Sequence, residues 1–72
     1  DKLNKEKRIE SFKRLEALVT ARNTTLYAVA KDLGLARSLF SDWKSGKSMP
    51  KTDKLIKIAE YFGTTVNYII GS

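Results

Sequence analysis

Four polar side chains fall together in one short stretch of this chain: Arg37, Ser38, Ser41 and Asp42. They lie within "ARSLFSDW" (36–43). On a helical wheel at ~100° per residue they share one arc, opposite Ala36, Leu39, Phe40 and Trp43. The apolar arc is an anchor. The polar arc ends in donors and acceptors of short or moderate reach rather than in a generic Lys/Glu mixture. Such groups suit hydrogen bonding, either to water or to a surface that the face reads, and their types alone leave both open. The chain has no histidine and no cysteine, no glycine-rich phosphate loop and no metal-ligand cluster, and its carboxylates sit singly on helical patterns. Neither an enzyme nor a cofactor is expected, and a Cys/His metal site is excluded.

Holding a nine-residue pattern against a core takes other elements. Ile9, Phe12, Leu15 and either Leu18 or Val19 recur at helical spacing, which predicts a long amphipathic helix from Lys5 to about Arg22. Glu6, Glu10 and Glu16 alternate with Lys7, Arg8, Lys13 and Arg14 on its outer face. Asn23-Thr24-Thr25 breaks it, and Thr25 is the best-placed cap for a second helix, Leu26 to Leu33, with Val29, Ala30 and Leu33 inward. Gly34 stops that helix in the left-handed conformation that a tight exit needs. A third helix runs from Ala36 to about Lys44, followed by the loop "KSGKSMPK" (44–51). Thr52 can cap a fourth, Asp53 to Phe62, with Leu55, Ile58, Ala59 and Phe62 inward; Gly63 closes it. Thr65 caps a last helix, Val66 to Ile70. "TTVNYII" (64–70) has strand-like composition but would have no partner strand. The fold class expected is all-α, a compact bundle of about five short helices in one domain.

With 72 residues the core must be small. No apolar run approaches the ~20 residues that span a bilayer, so no membrane partner is expected. The absence of cysteine fits a reducing, cytoplasmic setting. The first residue is Asp1, not Met, which fits a trimmed piece, such as the N-terminal part of a longer protein. Net charge is +6, a balance that suits either a polyanionic partner or plain solubility. The distribution favours the partner: Lys44, Lys47, Lys51, Lys54 and Lys57 are opposed in 44–57 only by Asp53.

Two short helices joined by a glycine-containing turn make a helix-turn-helix. The first helix and the core bracket the second, which can then project into a major groove wide enough for one helix. At this point the chain resembles a known family. "TTLYAVAKDLGLARSLFSDWKSGKSMPKTDKLIKIAEYFGTTVNYIIG" (24–71) is similar to the Cro/phage-repressor (XRE) type of helix-turn-helix. The likeness runs through Thr25, Val29-Ala30, Leu33-Gly34-Leu35, Ser38, Phe40, Trp43, Gly46-Lys47, Pro50, Leu55, Ile58-Ala59, Phe62-Gly63 and Tyr68-Ile69-Ile70-Gly71.

The resemblance implies a repressor or other regulator, bacterial or phage-borne, that binds a palindromic double-stranded operator as a homodimer. It implies base contacts from Arg37, Ser38, Ser41 and Asp42. It implies phosphate contacts from Thr25 and the amides opening the second helix, and from Lys44, Lys47 and Ser48. Two departures stand out. Lys44 occupies a place where many members carry Glu, and Val19 the place of its Arg partner; losing both halves of an ion pair is far less harmful than losing one. Leu26 stands where members often carry Gln, so a side-chain phosphate contact is lost.

Each residue has a plainer role beside the sharper one. Arg37 can be a solvated surface arginine, Ser38 a helix-start cap, and Ser41 a small residue that only permits close approach. Asp42 can accept from cytosine, orient Arg37 or Ser38, or repel wrong phosphate registers. Trp43 belongs to the core, Leu39 packs under the 46–50 loop, and Tyr27, Tyr61 and Tyr68 are expected to be partly buried. The competing function is a helix-turn-helix that docks a protein and reads no DNA.

Overall fold

The computed structural model describes residues 5–71. Five helices follow one another: α1 (Lys5–Ala21), α2 (Leu26–Leu33), α3 (Arg37–Ser45), α4 (Thr52–Tyr61) and α5 (Val66–Ile70), with no strand among the described residues. The strand-like segment is helical because Thr65 caps it, its hydroxyl oxygen accepting the Tyr68 amide at 3.1 Å.

α1 is the spine, packing against both α3 and α5. Its buried stripe is Ser11, Phe12, Leu15 and Val19, so Val19 rather than Leu18 faces the core; Leu18 is half-buried, as is Ile9. α1 ends at Ala21, one residue short of the expected end. Asn23 takes φ 56, its amide donating to the Thr20 carbonyl (3.0 Å) and the Thr24 amide to that of Val19 (3.1 Å). Asparagine tolerates this left-handed state better than most residues. Gly34 repeats the device after α2 with φ 69, its neighbour Leu35 donating to the Ala30 carbonyl at 2.8 Å.

The core gathers around Trp43, which is fully buried. Phe12 meets it edge-on (centroids 5.6 Å apart) and Phe40 stacks on it (6.4 Å). Its indole N–H donates to Ser11 Oγ at 2.9 Å, and the Ser11 hydroxyl donates to the Arg8 carbonyl at 2.7 Å. Ser11 is the buried polar residue that helical periodicity alone does not explain; it exists to satisfy the indole. No buried side-chain nitrogen or oxygen among the described residues lacks a partner.

Four further boundaries differ from the sequence reading. α3 starts at Arg37 and runs to Ser45, because Ala36 is extended (φ −72, ψ 140) and stands outside it. α4 starts at Thr52, with Lys51 as its extended flank, so Thr52 is inside the helix and caps nothing. It ends at Tyr61; Phe62 has left the helix but remains buried.

Candidate nucleic-acid interface

α2 opens on Thr25, whose hydroxyl oxygen accepts the Ala28 amide at 3.1 Å. The amides of Leu26 and Tyr27 precede any intrahelical acceptor and so point outward as donors at the positive end of the helix. Gly34 then turns the chain, and α3 packs back on α2 with Phe40 and Trp43 inward.

That anchorage decides which side chains emerge. Arg37, Ser38 and Ser41 are exposed on one face of α3, while Asp42 is half-buried at its edge. Three of the four residues expected on the reading face are thus presented, and Asp42 is partly withdrawn. α3 has no side-chain cap, which removes the capping role considered for Ser38. Nor does the Asp42 carboxylate bond to Arg37 or Ser38 among the described residues, so it does not orient them. The Asp42 backbone instead organises the following loop. Its carbonyl accepts the Lys47 amide (2.9 Å), the Ser48 amide (3.3 Å) and the Ser45 hydroxyl (3.0 Å). Lys47 and Ser48, both exposed, are therefore tied directly to the end of α3.

The loop is also held from α1. Gly46 is buried with φ 81, and its carbonyl accepts Arg8 Nε at 2.8 Å. A Cβ there would stand 2.6 Å from Lys5 Cγ and 3.1 Å from Ile9 Cγ1. Leu39 lies in a groove with Ser48, Met49 and Pro50, in keeping with its expected place under the loop.

A shallow cleft of about 260 Å³ joins α2 to α3. Phe12, Leu26 and Phe40 floor it; Tyr27, Arg37, Ser41 and Lys44 rim it. Two cations and no carboxylate line it, which makes it an anion-facing surface. Lys44 is exposed there and Val19 is in the core, so neither position holds a buried charge. Leu26 is half-buried floor rather than a polar contact. The sequence reading leaves Tyr27 outside the site, among the partly buried aromatics. It is 60% exposed, contrary to the expected partial burial, and the Arg37 guanidinium lies 5.4 Å from its ring centroid. Tyr68 is likewise exposed, and Tyr61 is half-buried. Nine residues, the turn among them, separate Tyr27 from Arg37, so no helical period links them.

Comparison with known families follows this geometry. The profile of the family described as "Helix-turn-helix domain" matches residues 13–71, which include both helices, the turn and the loop. The chain belongs to the helix-turn-helix domain family. Two curated relatives of this helix-turn-helix domain are similar to it. The HTH-type transcriptional activator BcrR of Enterococcus faecalis is 31% identical over 62 residues, 86% of this chain and 30% of its own length. The uncharacterized HTH-type transcriptional regulator YobD of Bacillus subtilis (strain 168) is 31% identical over 58 residues, 81% of this chain and 52% of its own length. The chain thus spans 30% of one of these relatives and about half of the other. No solved structure matches it. Both relatives carry the name of a transcriptional regulator. No described helix is long and apolar enough to cross a membrane, and no group of three or more metal-ligating side chains occurs among the described residues.

Proposed function

We propose that the chain is a single DNA-reading domain of a bacterial or phage transcription regulator, working in the cytoplasm on double-stranded operator DNA. The observation that carries this reading is the exposed face of α3. Arg37, Ser38 and Ser41 emerge together opposite a fully buried Trp43, on a helix whose width of ~10–12 Å suits the major groove. Arg37, in the first turn, reads a guanine through its fork. Ser38 and Ser41 contact neighbouring base edges, and Asp42 accepts from a cytosine at the rim of the contact. Thr25 with the first amides of α2, and Lys44, Lys47 and Ser48 beside α3, hold phosphates on either side of the groove.

Two copies bind a palindromic operator, one per half-site. The regulator represses where that operator overlaps a promoter. The relative in Enterococcus faecalis carries the name of an activator.

The test is selection of duplexes from a random pool, followed by binding of variants over a range of salt. Arg37→Ala should lose ~1–3 kcal/mol on the selected duplex and accept other bases at one position per half-site. Lys47→Ala should weaken selected and unrelated DNA alike and flatten the salt dependence by about one unit per monomer. A shallow salt slope with no enriched sequence would favour the protein-docking alternative instead.

A further inference from the structure

Arg37 makes no hydrogen bond or ion pair among the described residues; its contact is the face of Tyr27. At 5.4 Å from the ring centroid the guanidinium is within the ~6 Å reach of a cation–π interaction. Tyr27 gives little to the core, being 60% exposed, and its hydroxyl has no partner among the described residues. Arginine–aromatic pairs also occur elsewhere on the surface, Arg14 over Tyr68 and Arg22 over Tyr61 and Phe62. In the last of these the aromatics are partly or fully buried and Tyr61 is tied to Asp32, so that pair has a packing role. The Tyr27–Arg37 pair has no such role and stands on the rim of the cleft between α2 and α3.

We propose that Tyr27 is a positioning residue, an aromatic shelf that orients the Arg37 guanidinium for base recognition; this rests on Arg37 reading a base. The geometry suits the task. A guanidinium stacks through its flat face and donates hydrogen bonds in its plane. A ring beneath it therefore restricts the side chain without using any of the five donors. A carboxylate partner would restrict it too, but would occupy the very donors that a guanine needs. The shelf is supplied by the first turn of α2, the same turn whose amides face outward, so one turn orients the reader and offers the anion site.

The experiment uses the chain and a duplex that it enriches from a random pool, together with single-base variants of that duplex and an unrelated one. Tyr27→Leu keeps apolar cover and removes the π face; Tyr27→Phe keeps the ring. Tyr27→Leu should weaken binding to the enriched duplex about two- to five-fold, the size of an exposed cation–π contact, and narrow discrimination at the base that Arg37 reads. Tyr27→Phe should bind and discriminate as the unmodified chain does. In an Arg37→Ala background, Tyr27→Leu should have no further effect on discrimination. Equal weakening on every duplex, persisting without Arg37, would overturn the shelf and make Tyr27 a direct backbone contact. Unchanged discrimination in Tyr27→Leu, with discrimination lost in Arg37→Ala, would overturn the shelf alone. Discrimination intact in Arg37→Ala would overturn the reading on which it rests.

Discussion

Gly34 and Gly46 look alike in the sequence, each following an apolar stripe, yet they do different things. Both have positive φ, 69 and 81. Nothing lies within 4 Å of a Cβ built at Gly34, whereas at Gly46 the new atom meets Lys5 and Ile9. Gly34→Ala should therefore lose only the left-handed backbone penalty, ~1–2 kcal/mol. Gly46→Ala adds overpacking against half-buried Ile9, for a total of roughly 2–4 kcal/mol. Urea melts of both variants check the order; equal losses would show that α1 gives way freely. Tyr61 offers a test by pH. Its hydroxyl donates to Asp32 Oδ2 at 2.6 Å. That bond, then desolvation, then the Asp32 charge raise its pKa above the usual value near 10, with Arg22 pulling the other way. A raised folded-state pKa means stability that is present below about pH 10 and is lost as pH climbs through the folded value. The unmodified chain should lose stability from about pH 10 upward more steeply than Tyr61→Phe, as urea melts across that range would report. Positions of this kind show what the sequence could and could not disclose. Gly34's turn and Trp43's burial follow from local period and are legible. The Ser11–Trp43 bond, the Arg8–Gly46 bond and the Tyr27–Arg37 contact join residues on different elements, and no spacing rule connects them.

The helices themselves were legible because each carries an apolar stripe bounded by breakers. Their starts were legible only where the cap is chemical. Thr25 and Thr65 both accept the amide three residues on, as their type and place suggest. Ala36 and Lys51 hold the flanking position by backbone geometry alone; the sequence pattern instead places Ala36 inside its helix and offers Thr52 as the cap of the fourth. The missing cap on α3 makes a clean experiment. Ala36 is exposed and already extended, at φ −72 and ψ 140, the conformation a cap requires. Ala36→Ser should stabilise the fold by ~0.5–1 kcal/mol and leave DNA affinity nearly unchanged. Ala36→Asp should stabilise at least as much, since a carboxylate also favours the helix start. It would also set a negative charge beside Arg37 at the entrance to the groove. Thermal melts should rise for both variants, while binding to the selected duplex should weaken for Asp alone and most at low salt. Loss of stability in both would mean that Ala36 is needed for packing.

At the scale of the molecule, fold class was the most legible feature, because five half-apolar helices in a short chain can bury their stripes only against one another. What each helix packs against was not, since periodicity marks a buried face but not its partner. The same small core limits self-association. The exposed large hydrophobics among the described residues are Tyr27, Ile56 and Tyr68, and two of these already carry a stacked arginine. A stable dimer interface buries ~800 Å² per partner, about a sixth of the 4877 Å² that this chain exposes. With +6 charge on each copy, two free copies also repel. DNA changes both terms: it neutralises the charge and holds the copies in register. The principal extents are 30 × 22 × 21 Å, so two copies centred one helical turn apart, ~34 Å, fit side by side on one face of a duplex without overlap. The chain should therefore sediment as a monomer, or as a weakly associating dimer, when free. It should sediment as two copies on a selected duplex whose half-sites lie ~10 bp apart. Inserting five base pairs between the half-sites turns the second site to the opposite face, and should leave each copy binding independently at single-site affinity. A tight free dimer, or one copy on the full duplex, would mean that the two-copy arrangement is wrong even if α3 reads DNA.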